Sequence, residues 1–375
     1  MRYLSQHIQD VLAKKMVFIG GPRQVGKTTL AVSLLEPGTE PDHPAYLNWD
    51  APGVSASLRQ GKLPSDQPLV ILDEIHKYKN WRNLVKGLYD TQKTKRRFLV
   101  TGSARLDYYR KGGDSLVNRY RYFRLHPFSL REYDPAGSEK SLQDLLQFGG
   151  FPEPLFSKDP KELRIWQRDR LSRVIRDDLR DLENVKEVSL LEALVELLPS
   201  KVGSPLSIQS LREDLEVDHK TVSRWIGILE NLYVCFRIAP YGSPKIRAVK
   251  KEQKLYLWDW SVIDDEGIRF ENLVAAQLLK YCHLREDTEG FRMELRYIRD
   301  TDKREVDFVV LQDSKPLFAV EVKLSDTKLA PALRYFAERT LIPQFFQVHT
   351  GVADYEQHGI RVLPFTRFCE IWQMP

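Results

Sequence analysis

The stretch Gly21-Pro22-Arg23-Gln24-Val25-Gly26-Lys27-Thr28 fills every fixed position of the pattern GxxxxGK[ST], and its surroundings constrain the fold more than any other part of the 375-residue chain. Met16-Val17-Phe18-Ile19 before it reads as a buried strand, and Leu30-Ala31-Val32-Ser33-Leu34-Leu35 after it reads as a helix. In a strand–loop–helix of this kind the glycines let backbone N–H groups turn onto phosphates, and the helix start adds its positive end. Gly21, Pro22, Arg23, Gln24, Val25, Gly26, Lys27, Thr28 and Thr29 are therefore the expected nucleotide cradle. Lys27 would reach the β- and γ-phosphates and the Thr28 hydroxyl would help hold Mg²⁺. The plain alternative is a glycine-rich turn, but chance seldom supplies every fixed position between a strand and a helix.

A nucleotide hydrolase needs a second acidic site opposite this loop. Leu69-Val70-Ile71-Leu72-Asp73-Glu74 ends an apolar strand on two carboxylates, Asp73 for Mg²⁺ and Glu74 to polarise water. Alone, such a pair could be a strand end or a helix cap. Beside the phosphate loop it points to ATP hydrolysis of the ASCE class, and no Asn-Lys-x-Asp guanine pattern occurs. Arg97-Phe98-Leu99-Val100-Thr101-Gly102-Ser103 suits the sensor strand that lies between the loop strand and the acidic strand. Ser103 there could orient the attacking water, although Thr-Gly-Ser is also a common turn. Arg105 and Arg119 are candidate arginine fingers acting on a neighbouring copy. With Ala45-Tyr46-Leu47-Asn48-Trp49 and Tyr122-Phe123-Arg124-Leu125 as further strands, the expectation is a five-stranded parallel sheet covered on both faces, with its ligand at the carboxyl ends of the strands.

From residue 142 to 199 the pattern turns helical, with Leu163, Trp166, Leu171, Val174, Ile175 and Leu179 spaced for one face and Arg164, Arg168, Arg170, Arg173, Arg176 and Arg180 expected on a solvated one. Residues 206–215 and 217–226 then read as a helix-turn-helix. Val234-Cys235-Phe236-Arg237-Ile238 and Lys254-Leu255-Tyr256-Leu257-Trp258 would form a wing, with Lys245, Arg247, Lys250 and Lys251 between them suited to phosphates. Lys220, Ser223 and Arg224 are the candidate DNA contacts, against the alternative that such a module only packs.

After Asp265 an amphipathic helix, residues 270–279, precedes two strands that carry charge within apolar runs: Glu305-Val306-Asp307-Phe308 and Ala319-Val320-Glu321-Val322-Lys323. Alternation puts Glu321 and Lys323 on one face with Val320 and Val322 behind them. Buried charge is costly unless it pairs or does chemistry. Asp307, then Glu321-x-Lys323, with Glu271 on the preceding helix, is the arrangement of a PD-(D/E)XK nuclease. Asp307, Glu321 and Glu271 would hold Mg²⁺, and Lys323 would position a water or stabilise developing phosphorane charge. The other reading is a structural Glu321–Lys323 ion pair at a sheet edge.

Bulk properties agree with an ordinary globular chain: 42% hydrophobic residues, a formal charge of +5 that fits nucleic acid without requiring it, and only Cys235, Cys282 and Cys369. Residues 1–15 carry Arg2, Asp10, Lys14 and Lys15 around short apolar steps, unlike a signal peptide or a spanning helix, so the expectation is a cytoplasmic protein without membrane contact.

Taken together the chain resembles the bacterial and archaeal AAA-type ATPases that join a phosphate-loop domain to a winged helix and a carboxyl-terminal nuclease-like domain. The resemblance rests on residues 21–28, Leu72-Asp73-Glu74-Ile75, Thr101-Gly102-Ser103, Phe128-Ser129-Leu130-Arg131-Glu132-Tyr133, Glu305-Val306-Asp307-Phe308 and Glu321-Val322-Lys323. Asn118-Arg119 departs from the Gly-Arg often found in that family. It implies an α/β chain: a P-loop NTPase parallel sheet (1–135), a helical lid (136–200), a winged helix (201–265) and an α/β restriction-endonuclease-like domain (266–375). ATP and Mg²⁺ are the implied cofactors, and DNA and further copies of the chain the implied partners. Two functions stay open: a DNA-binding ATPase that also cleaves, and an ATP-dependent switch or scaffold whose nuclease-like domain is silent and binds DNA or protein.

Overall fold

Strands apolar on both faces can be satisfied only inside a sheet covered on both sides, and the first half of the chain is built around them. The computed structural model describes residues 2–35, 42–102, 116, 118–174, 188–242, 252–325 and 328–375. It divides into two units, Met1–His126 and Pro127–Pro375. In the first, α1 (Ser5–Leu12), β1 (Met16–Gly20), α2 (Lys27–Val32), β2 (Tyr46–Asn48), α3 (Val54–Arg59), β3 (Leu69–Asp73), α4 (Trp81–Gln92), β4 (Arg97–Thr101) and β5 (Tyr120–Arg124) follow in order. The sheet runs β2-β3-β4-β1-β5, with every neighbouring pair parallel. As the sequence suggests, β4 lies between the loop strand and the acidic strand, and Asp73 pairs in register with Thr101. All five residues of β1 are buried. Met16 and Phe18 join Val70, Leu72, Phe98 and Val100 of the neighbouring strands and Trp81 and Val85 of α4 in one core.

The second unit opens with short helices: α5 (Leu130–Tyr133), α6 (Glu139–Phe148), α7 (Pro152–Ser157), α8 (Pro160–Arg173) and α9 (Val188–Leu197). On α8 Leu163 and Trp166 face inward as expected, but Arg170 does too, correcting its placement on a solvated face. The reason is the i,i+4 spacing from Trp166: the guanidinium lies over the rings of Phe151 at 4.3 Å and Trp166 at 5.5 Å, with Asp259 3.9 Å away. Ile175, Leu179, Arg176 and Arg180 lie outside the described residues.

Helices α10 (Ile208–Leu215) and α11 (His219–Asn231) meet at a tight turn and lead into an antiparallel hairpin, β6 (Cys235–Pro240) and β7 (Lys254–Leu257). Lys245, Arg247, Lys250 and Lys251 fall outside the described residues. Past its pairing with β7, β6 continues and pairs in parallel with β8 (Met293–Arg299) through Ala239 and Pro240. The hairpin is thus one end of an eight-stranded sheet, β12-β13-β11-β10-β9-β8-β6-β7. Its other strands are β9 (Glu305–Gln312), β10 (Lys315–Val322), β11 (Phe345–His349), β12 (Tyr355–Gln357) and β13 (Ile360–Pro364). Strands β8, β9 and β10 are antiparallel, whereas β10, β11 and β13 are parallel.

Helix α12 (Glu266–Glu289) begins where Asp265 accepts the Ile268 N–H at 2.9 Å and ends at Gly290. It is amphipathic in sequence but buried without interruption from 272 to 278, as expected of a helix covered all round. Asn272 is satisfied there by both backbone groups of Leu257, at 2.7 and 2.8 Å. Cys235, Cys282 and Cys369 are buried, and none of the three forms a disulfide among the described residues. Among the described residues no helix is long and apolar enough to cross a membrane.

Because Phe98 is fully buried in the core of the first unit, Phe98→Ala should cost about 3–5 kcal/mol of stability. Urea denaturation followed by circular dichroism checks this.

Candidate functional site

At the carboxyl ends of β1, β3 and β4 the sequence-predicted residues converge. The loop after β1 turns sharply at Gly21 (φ 140°), where an added Cβ would lie 2.3 Å from the Leu125 carbonyl oxygen. It closes at Gly26 (φ 92°), immediately before α2. Lys27 is buried and donates from Nζ to the carbonyls of Gly21 at 3.0 Å and Pro22 at 2.7 Å. Val25 is buried, Thr29 is exposed, and Arg23 and Gln24 are partly exposed.

Asp73 gathers the site. Its Oδ2 accepts from Thr28 Oγ1 at 2.9 Å and from the Tyr46 hydroxyl at 2.7 Å. Its Oδ1 accepts from the Glu74 N–H at 3.0 Å and from the Thr101 hydroxyl. Glu74 adopts the left-handed conformation, φ 55°, which costs a non-glycine residue on the order of 1–3 kcal/mol and is typical of functional turns. Its carboxylate lies 3.6 Å from His76 Nε2 and 3.8 Å from Lys77 Nζ. Burial, and then the charge of Asp73, push the Glu74 carboxyl above its ordinary pKa. Burial, followed by the bond to Asp73, likewise raises the Tyr46 phenol. Arg119 is engaged with Asp90 through two hydrogen bonds, at 2.9 and 3.2 Å. Ser103 and Arg105 lie outside the described residues.

In the second unit the carboxylates of the expected nuclease arrangement lie in one electrostatic cluster, with a lysine among them. Glu321 accepts from Lys323 Nζ at 2.6 Å through Oε1, while its Oε2 is buried without a hydrogen-bond partner. Asp307 Oδ2 accepts the Val322 N–H at 2.8 Å. Glu271, expected as a third metal ligand, makes its own contacts with other residues. Among the described residues no group of three His, Cys, Asp or Glu is placed to hold a metal. Glu271 instead accepts from the Tyr256 hydroxyl at 2.8 Å and lies 3.6 Å from Lys254 Nζ. Burial, and then the charge of Asp307, push Glu271 and Glu321 each up to about 8. On the outer face of α11, His219, Lys220, Ser223 and Arg224 are exposed, while Val222, Trp225 and Ile226 are buried.

Comparison with known proteins identifies part of this arrangement. Residues 13–134 match the family described as AAA domain. The first unit carries an AAA domain. Residues 139–264 match the domain of unknown function DUF8612, and residues 266–368 the domain of unknown function DUF4143. An uncharacterised protein of Methanocaldococcus jannaschii is 25% identical, over 83% of this chain and 76% of its own. One of Mycobacterium tuberculosis is 22% identical, over 83% of this chain and 71% of its own. Among solved structures, similarity extends to the RuvB Holliday junction branch migration motor of Thermotoga maritima, with 18% identity, 62% of this chain and 87% of that one covered, and a TM-score of 0.31. It also extends to the Aeropyrum pernix ORC1 protein in complex with DNA, with 14% identity, 74% and 94% covered, and a TM-score of 0.32.

Several residues that shape the AAA domain site escape sequence reasoning. Arg2 donates to the Val25 carbonyl at 2.8 Å and to that of His126, pinning the phosphate loop from outside. Tyr46 was visible only as a strand residue, and nothing local announces its bond to Asp73. In the second unit the overlooked residue is Lys254, whose strand reads as apolar around it.

The raised carboxyls fix a pH dependence. Folded Glu271 and Glu321 keep protons that the unfolded chain releases near pH 4.5, so their stabilisation is full below that value and lost as pH rises through about 8. In metal-free buffer the unfolding free energy should fall across this window, and Glu321→Gln should flatten the fall. Denaturant titrations at several pH values measure it.

Proposed function

We propose that the protein is a magnesium-dependent ATPase whose second unit binds DNA. The observation that carries the ATPase reading is the 2.9 Å bond between Thr28 Oγ1 and Asp73 Oδ2, with Lys27 and Glu74 adjacent to them in sequence. A hydroxyl and a carboxylate already in contact, joined by a buried ammonium and a second carboxylate, fit a magnesium nucleotide. Lys27 would bind the β- and γ-phosphates, with Gly21, Pro22, Arg23, Gln24, Val25, Gly26 and Thr29 completing the cradle. Thr28 and Asp73 would hold the metal, which when bound neutralises charge on the phosphate oxygens.

Asp73 is held by four donors, and its fixed position spares the site reorganisation at the moment of reaction. Glu74 would orient and polarise the attacking water, and its raised pKa brings its basicity closer to the working pH. Ser103 would assist at the γ-phosphate, and Arg105 or Arg119 would act on the nucleotide of a neighbouring copy in a homo-oligomer. Arg119 would first have to leave Asp90. For DNA, α10, α11 and the hairpin form a winged helix in this reading, with Lys220, Ser223 and Arg224 on its exposed face meeting phosphates and base edges.

Lys27→Ala should lower ATP turnover by about 10²–10³-fold, and Glu74→Gln by about 10²–10⁴-fold while nucleotide binding persists. Phosphate release and calorimetry with ATP separate the two. Turnover undiminished in Lys27→Ala would remove the ATPase assignment.

A second reading, metal-dependent phosphodiester cleavage, is favoured by the buried, unpartnered Glu321 Oε2. That oxygen, with Asp307 electrostatically close, fits one divalent cation. When bound, the cation lowers the pKa of a water, and Lys323 would stabilise charge on the phosphorane. Against it stands the switch or scaffold, in which this region binds DNA or protein without cutting. Linear, circular, single-stranded and branched DNA incubated with Mg²⁺ or Mn²⁺ distinguishes the two: cleavage should appear with the natural chain and vanish in Asp307→Ala and Glu321→Ala. Products that persist in both variants would defeat this reading.

A further inference from the structure

Lys254, the first residue of β7, is 1% exposed. Its ammonium contacts Glu305 and lies 3.6 Å from Glu271 Oε1 and 3.7 Å from Asp307 Oδ1. Three carboxylates from a helix and a strand therefore surround one nitrogen that a third element supplies. The Tyr297 ring lies 5.4 Å from the same ammonium. Burial pulls the pKa of Lys254 down, but Asp307, Glu271 and Glu305 together outweigh it and hold the group charged.

The remaining oxygens divide clearly. Asp307 Oδ2 is taken by the Val322 N–H, and Glu321 Oε1 by Lys323. Glu305 Oε2 lies 3.3 Å from Arg299. With all four carboxylates ionised, Glu271, Glu305, Asp307 and Glu321 stand against Lys254, Lys323 and Arg299, which leaves one net negative charge. One divalent ion reverses that to one net positive charge, whereas a second would raise it to three and would find its oxygens already turned to an ammonium.

We propose that Lys254 is an internal cation standing where a second metal ion would sit, so that the cluster takes a single divalent ion at Asp307 and Glu321, and Glu271 serves Lys254 rather than the metal. This rests on reading Asp307 and Glu321 as a cation site. Lysine fills such a position permanently, without an exchangeable ligand, and it ties the hairpin to the carboxylate strands whether or not metal is present. An isosteric methionine would leave three carboxylates without their cation, and although as they stand no three are placed to hold a metal, their unbalanced charge would draw them around a hard cation.

The test is Mn²⁺ binding to the full chain at pH 8 without nucleotide, with free Mn²⁺ counted by electron paramagnetic resonance and melting temperature followed in parallel. The natural chain and Lys254→Arg should bind equal numbers of ions. Lys254→Met should bind one more per chain, melt lower in chelator, and regain melting temperature saturably with Mn²⁺. Adding Glu271→Gln to that variant should abolish the extra ion. Glu271→Gln alone should leave Mn²⁺ affinity within about twofold, whereas a true ligand would cost about tenfold or more.

The inference is overturned if Lys254→Met binds the natural number of ions with no Mn²⁺-dependent rise in melting temperature, or if Glu271→Gln alone weakens binding about tenfold. Should Lys254→Met fail to fold, Glu271→Gln decides alone. The underlying reading fails separately, if Asp307→Ala and Glu321→Ala bind as many ions as the natural chain.

Discussion

A single carboxylate at the end of β3 accepts hydrogen bonds from four donors, and the arrangement of the first unit follows from satisfying it. Asp73 draws together the hydroxyls of Thr28 from α2, Tyr46 from β2 and Thr101 from β4, and the N–H of Glu74. A buried carboxylate left unpaired would carry a heavy desolvation cost. Thr101 pairs with Asp73 across the sheet and Tyr46 stands opposite Ile71 on the other side, so the register of β2, β3 and β4 must hold for the group to be satisfied. The same requirement places the loop lysine and the Glu74 turn beside it. Chemistry and register are therefore enforced by one group, and the ends of β2, β3 and β4 cannot drift independently.

The second unit answers a similar demand in a different way. Glu271, Glu305, Asp307 and Glu321 are brought close by a long helix and two adjacent strands, which crowd negative charge into a poorly solvated space. Lys254 and Lys323 offset part of that charge, yet burial first and the charge of Asp307 second still raise the carboxyls of Glu271 and Glu321. Removing one partner from such a set leaves an uncompensated buried charge, which costs far more than the pair contributes when intact. This is why a lysine at the start of a hairpin strand bears on strands fifty residues later. Lys280 with Glu132 repeats the pattern elsewhere in the unit, a buried ammonium further satisfied by Ser129 and the Pro127 carbonyl.

Much of the architecture was legible beforehand because its determinants are local. The strand–loop–helix around Lys27, the acidic end of β3 and the hydroxyl end of β4 depend on runs of five or six residues, and their mutual placement follows from the rules of parallel sheets. The two-helix turn at 208–231 was visible from its periodicity for the same reason. The buried place of Arg170 is hidden because a charge count cannot tell a solvated guanidinium from one lying over aromatic rings, and the i,i+4 partner Trp166 settles the matter only once the helix is packed. The extension of β6 into the main sheet was also hidden, since strand pairing at Ala239 and Pro240 is a property of two segments more than fifty residues apart.

Sequence alone determined the kinds of group available: a phosphate-loop lysine and threonine, an acidic pair after an apolar strand, and an Asp…Glu-x-Lys set on neighbouring strands. It did so because each group lies on a short local segment, or on two strands consecutive in the chain, whose period or turn chemistry dictates where it points. Only the tertiary structure decided which of these groups are partners. It gave Asp73 its Tyr46, set Glu271 against Lys254 and Tyr256, and left one oxygen of Glu321 unpaired. Buried electrostatics are settled by distances of a few ångströms between distant segments, and no local pattern along the chain carries that information.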